Sequence, residues 1–434
     1  MIGVTSEYLV CGYDRVLPGY GLLFDENSGQ IMAVCTNEKI RAARPAHLIE
    51  GDHSLLLPGF VNCHTHQYGI LSHGMPVNVQ FHDFEGFLKD YWWPWLEDRI
   101  GCEETLATSL ASCGQMLHSG VTSFIDTLEA PNVQPGTLEM QADQIEKVGM
   151  RAIVSLESSQ RVSEDNGVAC LAQNVAAVRY CRTHLNHVRG AVCTHTTFTC
   201  DEDFIRKGKR LAREEQALFQ FHLSESRYEP SVRPEPSTCY DRLSALDADT
   251  LASQCVQLTE KELELLAERR ARVVHMPLSN CEVGGGFAPV PAMLDKGIPV
   301  ALGSDGYIDD FFDVMKGAFL IHKANLQSTT VMPADQVFRM ATEYGAQCMG
   351  LKKVGRLEEG WQADFSLLAD RFLSPVTKRN IFDQIVVHGQ KEWVTHTVVA
   401  GRLLMEHGRL TTIDEDAAWQ RVRNVTERFW RDLQ

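Results

Sequence analysis

The chain has 434 residues, enough to bury a large core, and that length allows two or three domains or one large α/β barrel with an accessory. Its formal net charge is −16, from 57 acidic against 41 basic residues. A field of that sign repels phosphate backbones and anionic membranes, so the composition argues against nucleic acid and membrane partners and favours a small neutral or cationic ligand. Thirteen cysteines are scattered singly with no CxxC pair, which argues against a disulfide framework or a four-cysteine metal site and fits a cytoplasmic protein. No basic and then apolar leader is visible, and no apolar run approaches the roughly 18 residues of a membrane span, so neither a targeting segment nor a span is expected.

In chain order, residues 1–57 contain VLPGYGLLFDENSGQIMAV, which predicts two short strands around a polar turn. From Leu55 onward short apolar runs alternate with longer amphipathic stretches. The runs are LLLPGFVNCHTH, TSFIDT from Thr122, RAIVSLES from Arg151, VRGAVCTH from Val188, LFQFHLSE from Leu218, TLASQCV from Thr250, ARVVHMP from Ala271 and PVALGSD from Pro299. Continuous apolar runs are the pattern of strands buried on both faces, and intervening helices imply parallel pairing. The helices are visible as LASCGQMLHSG, which ends on Gly120, and KELELLAERRA, with leucines at helical spacing. Eight such runs predict an α/β fold, a (β/α)8 TIM barrel over residues 58–352. Residues 355–410 return to short strand patterns, so segments 1–57 and 353–434 are expected to meet in a small β-sandwich beside the barrel. A C-terminal helix is predicted to pack through Trp419, Val422, Phe429 and Leu433. The stretch SVRPEPSTCYDRLSALDADT after the fifth run reads as a loop or lid.

Active sites of such barrels form where strand C-termini converge, so polar residues at those ends carry the chemistry. The first strand ends in His64-Thr65-His66, and residues two apart on a strand share a face. His222 closes the fifth strand and Asp305 the eighth. Three imidazoles and one carboxylate would hold one divalent metal, zinc or alternatively iron, with a position left for water. Read singly, His222 could be a satisfied core histidine and Asp305-Gly306 an ordinary turn; their common placement at strand ends favours the metal site. Glu225, three residues after His222, is placed to shuttle protons from water to a leaving group, although alone it would pass as a surface glutamate.

These blocks resemble the amidohydrolase superfamily, in particular the aminohydrolases related to cytosine deaminase, S-adenosylhomocysteine deaminase and the triazine hydrolases. The resemblance rests on LPGFVNCHTH at 57–66, HSGVTSFIDT at 118–127, HLSES at 222–226, HMPLSNCEVGGGFAPVPAMLDKGIPVALGSDG at 275–306 and GRLEEGWQADFSLL at 355–368. It implies that His64, His66, His222 and Asp305 bind the metal, that Glu225 shuttles protons, and that His195 and Asn280 contact substrate. Two positions depart from the family pattern. Gln254 stands where the family places a histidine after the sixth strand; an amide can orient water but carries no proton or positive charge. With that histidine absent and no lysine on the fourth strand, a mononuclear site is expected. Phe87 stands where adenosine-type deaminases carry a tryptophan, which disfavours S-adenosylhomocysteine itself. The following DYWWPWLED could stack a planar heterocycle through Trp92, or its tryptophans could be core. Asp309, Asp310 and Asp313 would either acidify the mouth or form a solvated face. The resulting expectation is hydrolytic deamination of an amino-substituted heterocycle or amidine. Hydrolysis of an amide or chloro-heterocycle, or a metal-binding barrel with little turnover because of Gln254, stays open as the alternative, as does a homo-oligomeric state.

Overall fold

The structure is a computed structural model that describes residues 1–306 and 309–433. All eight apolar runs become strands: β1 (Phe60–Thr65), β2 (Val121–Leu128), β3 (Arg151–Ser158), β4 (Val192–Thr194), β5 (Phe219–Leu223), β6 (Thr250–Gln254), β7 (Arg272–His275) and β8 (Val300–Leu302). They pair in parallel in chain order, and a parallel bridge between Thr65 and Asp305 brings the end of β8 back to β1. The barrel closes tightly there. A Cβ on Gly303 would lie 2.8 Å from the His64 carbonyl oxygen, so only glycine lets the two strands approach. The fourth run is split, its first part (Val188–Gly190) pairing with β3 ahead of β4. Every residue of β1, β2, β5, β6 and β8 is buried, the physical counterpart of their unbroken apolar pattern.

The helices between strands obey local rules. Glu260–Arg269 starts on a capping box in which Thr259 accepts from Glu262 N while Glu262 reaches back to the Thr259 backbone, and it buries Leu263 and Leu266. Glu202–Glu214 is capped by Asp201 and turns Phe204, Ile205 and Ala212 inward. The C-terminal helix, Glu415–Trp430, buries Ala418, Val422, Val425 and Phe429. Trp419 is a correction: it is 40% exposed, because the buried stripe runs through its neighbour Ala418 instead.

The chain termini build two further sheets. One has four strands, all from the N-terminal segment; the other has seven and joins Tyr8–Gly12, Arg15–Pro18 and Ser54–Pro58 to Phe365–Ala369, Val394–Val399, Arg402–Glu406 and Arg409–Leu410. They share a core in which Phe24 meets Phe365 edge-on and Val4, Leu22, Leu56 and Leu367 are fully buried. An ion pair ties this body to the barrel: Arg151 Nε donates to Asp364 Oδ2 at 2.6 Å, with Asp364 buried. Removing one partner of such a buried pair costs roughly 3–5 kcal/mol.

The expected loop after β5 is a second correction. It holds the helices Tyr228–Val232 and Pro236–Arg242, and Tyr240 stacks on Phe221 with ring centroids 3.6 Å apart. That segment is packed wall. Its prolines start the helix at Pro236, where the missing N–H costs nothing. Among the described residues no helix is long and apolar enough to cross a membrane.

Candidate active site

Three imidazoles meet at the C-terminal end of the barrel. His64 Nε2 lies 3.2 Å from His66 Nε2 and 3.3 Å from His222 Nε2. The far sides of two of the rings are hydrogen-bonded. His66 Nδ1 lies 2.7 Å from the Thr127 carbonyl oxygen, which can only accept, so Nδ1 carries a proton; burial opposes a second one, but Glu129 and Asp305 facing Nε2 raise the ring well above the ordinary imidazole value. His64 Nδ1 faces Ser253 Oγ at 3.0 Å, and His222 Nδ1 faces Glu157 Oε2 at 3.5 Å. Asp305 Oδ1 is 3.0 Å from His66 Nε2 and 3.9 Å from His64 Nε2. Two nitrogens each about 2.0–2.1 Å from a tetrahedral ion stand about 3.3 Å apart, so the imidazole spacing fits a single divalent cation. The residues present therefore suit a borderline metal with three nitrogen donors and one carboxylate.

The strand ends are bent to make this convergence. Asp305 has φ 60°, a left-handed conformation that aspartate tolerates better than most residues, and the Asp-Gly pair is thus a turn and a functional position at once. Gln254 and Cys255 have φ 76° and 52° in succession, backbone strain of the kind concentrated at functional sites. The bend brings Gln254 Nε2 to 2.7 Å from Asp305 Oδ2, to which it donates, while its Oε1 has no partner among the described residues. Gln254 faces the cavity, and its amide holds the carboxylate of Asp305. Burial alone would raise the Asp305 carboxyl, but the surrounding imidazoles, His66 foremost, hold it well below the usual carboxylate range. Glu225 behaves oppositely. Burial, reinforced by the charges of Asp305 and Glu129, pushes its carboxyl well above the ordinary value, which favours the protonated form.

Sequence reasoning missed a second set of acids. Glu129, one residue past β2, and Glu157, within β3, are buried beside the imidazoles. Glu129 Oε1 lies 3.7 Å from His66 Nε2 and 3.8 Å from His222 Nε2. Glu157 faces both His222 and His195, the latter at 3.6 Å from Nδ1. Glu97, fully buried, accepts from Arg161 Nη2 at 2.9 Å and completes the group, and Tyr68 Oη donates to Glu129 Oε2 at 2.9 Å. Three adjacent carboxyls cannot all ionise. Burial and the Glu129 charge push both Glu97 and Glu157 well up, while Glu129, although buried, is held down by His66 and by hydrogen bonds from the other two. The overlooked signal was available: both glutamates stand at strand C-termini, the positions that matter in a barrel.

Above this floor opens a cavity lined by Phe84, Phe87, Leu88 and Trp92 on one side and by Glu129, His195, Glu225, Gln254, Glu282 and Asp305 around the base. Burial and the Asp305 charge push Glu282 up to about 7. His195 lines the cavity as expected, and burial keeps it neutral, its pKa pushed down to about 3. Trp92 also lines it, whereas Trp93 stacks on the Arg161 guanidinium at 4.9 Å and Trp95 packs against the core. Asn280 is wholly buried and does not line the cavity, where its helix contributes Ser279, Glu282 and Val283. Neither expectation for the late aspartates holds throughout. Asp309 is buried and accepts from Ser112 Oγ at 2.6 Å, and Asp310 caps the helix Phe311–Leu326 by accepting from Phe312 N. Asp313 is about half exposed, as a solvated face requires.

Comparison with known proteins agrees with this geometry. The pattern of the amidohydrolase family matches residues 55–404. The chain is 28% identical to a 5'-deoxyadenosine deaminase of Methanopyrus kandleri, over 98% of this chain and 96% of that protein. Among solved structures, an adenosine deaminase from Xanthomonas campestris with bound zinc superposes with a TM-score of 0.89 at 24% identity, covering 99% of this chain and 98% of that one. The zinc complex of atrazine chlorohydrolase from Arthrobacter aurescens gives 0.84 at 18% identity, covering 99% and 100%. The strand-end histidines, the closed parallel barrel and the match across most of its length have one reading: this chain belongs to the amidohydrolase family.

Proposed function

We propose that the chain is a hydrolytic deaminase that removes the exocyclic amino group of an adenosine-like heterocycle, using one zinc ion held by His64, His66, His222 and Asp305. One observation carries the reading: three imidazoles spaced for a single ion share a cavity floor with Glu225, a carboxyl that burial biases toward its protonated form. When bound, a divalent ion there supplies a nucleophile from water at neutral pH. Asp305, ionised and fixed by the Gln254 amide, accepts the proton that this water gives up. Glu225 donates its proton to the ring nitrogen, making the adjacent ring carbon electrophilic, and a proton passed on through the same carboxyl lets the amino group leave as ammonia. His195, neutral, offers an imidazole to the bound ring.

The substrate class is supported by the relative that is a 5'-deoxyadenosine deaminase and by the lining of the cavity. Phe87 and Trp92, stacked on each other at 5.3 Å, form an aromatic wall for a planar base, and the carboxyls of Glu129, Glu225, Glu282 and Asp305 favour an amine-bearing ligand over an anion. The negative charge and the thirteen free cysteines fit a cytoplasmic enzyme without nucleic acid or membrane partners. The test is ammonia release by zinc-loaded protein from 5'-deoxyadenosine, 5-methylthioadenosine, S-adenosylhomocysteine, guanine and a chlorotriazine. Ammonia from 5'-deoxyadenosine and 5-methylthioadenosine is the expected result, with S-adenosylhomocysteine, which Phe87 disfavours, the slower. Chloride release without ammonia would replace deamination by dehalogenation. Tight binding without turnover, relieved by Gln254→His, would identify a barrel that binds ligand and does not process it.

A further inference from the structure

Outside the barrel, a second group of metal-type donors lies where the two terminal sheets meet. His396 is on the strand Val394–Val399, Glu406 ends the strand Arg402–Glu406, and His407 opens the turn that leads to Arg409–Leu410. One ligand atom from each falls within 4.8 Å of the other two, and the rings of His396 and His407 are 4.7 Å apart. From the other sheet, His47 on its edge strand His47–Ile49 brings Nε2 to 3.6 Å from Glu406 Oε1.

Two details prepare these groups for a cation. Thr395 Oγ1 donates its single proton to the Leu367 carbonyl oxygen, so its 2.9 Å contact with His396 must be accepted from Nδ1–H. That fixes the tautomer of a ring only 4% exposed and leaves Nε2 as a lone pair, the arrangement that orients metal-binding histidines. The second detail is the turn. Glu406 pairs with Arg409, and the two residues between them, His407 and Gly408, have φ 50° and 74°. A two-residue hairpin turn with positive φ at both centres prefers Asn-Gly or Asp-Gly, yet here the first position holds histidine.

We propose that His396, Glu406 and His407 form a second site for a divalent transition-metal ion of the zinc type, with His47 as the fourth donor. The set is three imidazoles and one carboxylate, appropriate to a closed tetrahedral site. His396 is the fixed point, and the more exposed Glu406, His407 and His47 close around the ion. Bound there, the ion clamps the last hairpin of one sheet to the edge strand of the other, and so staples together the N-terminal and C-terminal segments of the chain.

The probe is zinc(II) alone, titrated into the full chain carrying His222→Ala, so that the barrel ion does not contribute. One equivalent should bind, with Tm rising by roughly 1–3 °C at saturation. His396→Gln and, separately, His407→Asn should each abolish both responses. Asn-Gly suits this turn, so the His407→Asn protein should fold at an equal or higher metal-free Tm, which separates loss of a ligand from loss of the fold. Cobalt(II) should give tetrahedral absorption bands that vanish in the same variants. Equal zinc uptake and equal Tm response with and without His407→Asn would overturn the proposal, as would no uptake by the His222→Ala protein. None of these readings depends on deaminase activity.

Discussion

The half of the barrel mouth formed by β1, β5 and β8 presents imidazole nitrogens and an ionised carboxylate, while the half formed by the ends of β2 and β3 presents carboxyls that share protons. Both halves are buried, and both converge on His222. On the first side His64, His66 and His222 bring their Nε2 atoms together, with Nδ1 of His66 on a carbonyl oxygen and Nδ1 of His64 on a hydroxyl. On the second side Glu129 holds the charge and faces His66 and His222, while Glu97 and Glu157 keep protons because a third or even second charge is too costly there. The contrast separates two tasks. Converging imidazole nitrogens are suited to hold a cation directly; an acid cluster that shares protons is suited to balance its charge from behind.

Breaking the first half should have the largest effect. His222→Ala is expected to lose the barrel ion and at least ~1,000-fold in kcat/KM, since an activated nucleophile is worth several kcal/mol. Retained occupancy by elemental analysis would remove His222 from the ligand set.

Next comes Glu225→Gln, which should keep the ion and lose roughly 100-fold or more in kcat. The sign of the pH dependence follows from the raised carboxyl of Glu225: the protonated form that donates is lost as pH rises through the raised value, so the rate falls on the alkaline side. That limb should vanish from the residual activity of the variant. Loss of metal instead would make Glu225 a ligand.

A smaller effect is expected from the second half. Glu157→Gln keeps the shape but removes the acid behind His222, and metal retention against a chelator should weaken about 10–100-fold. An unchanged affinity would mean that the acid cluster is structural only. Gln254→His should change the rate least, within about 10-fold, and mainly reshape the pH profile, because Asp305 keeps a hydrogen-bond donor either way. A rate unaffected at every pH would show that Gln254 only supports Asp305.

The two halves also differ in how visible they are along the chain. His64-Thr65-His66, His222 and Asp305 stand out because unusual residue types interrupt apolar runs at their ends, and the period of a strand says which way they point. Glu129 and Glu157 occupy equivalent positions but pass for ordinary surface acids, and Glu97 lies in a segment that reads as aromatic. Their meaning appears only when β2 and β3 pair side by side and the segment before the helix Cys102–His118 folds over them with Arg161. Asp309 was opaque for a similar reason: the serines and threonine that bury it come from separate elements.

Local periodicity and strand-end chemistry, both properties of neighbouring residues, therefore determined from sequence the eight strands, the barrel, the composite terminal sheets and the imidazole set. Tertiary structure alone decided which carboxyls ionise, that residues 231–250 pack as helical wall in place of a loop, and that His47 meets Glu406 across two sheets. Those outcomes depend on burial and on distances between residues far apart in the chain, where the cost of desolvating a charge and the separation of its partners are set by packing.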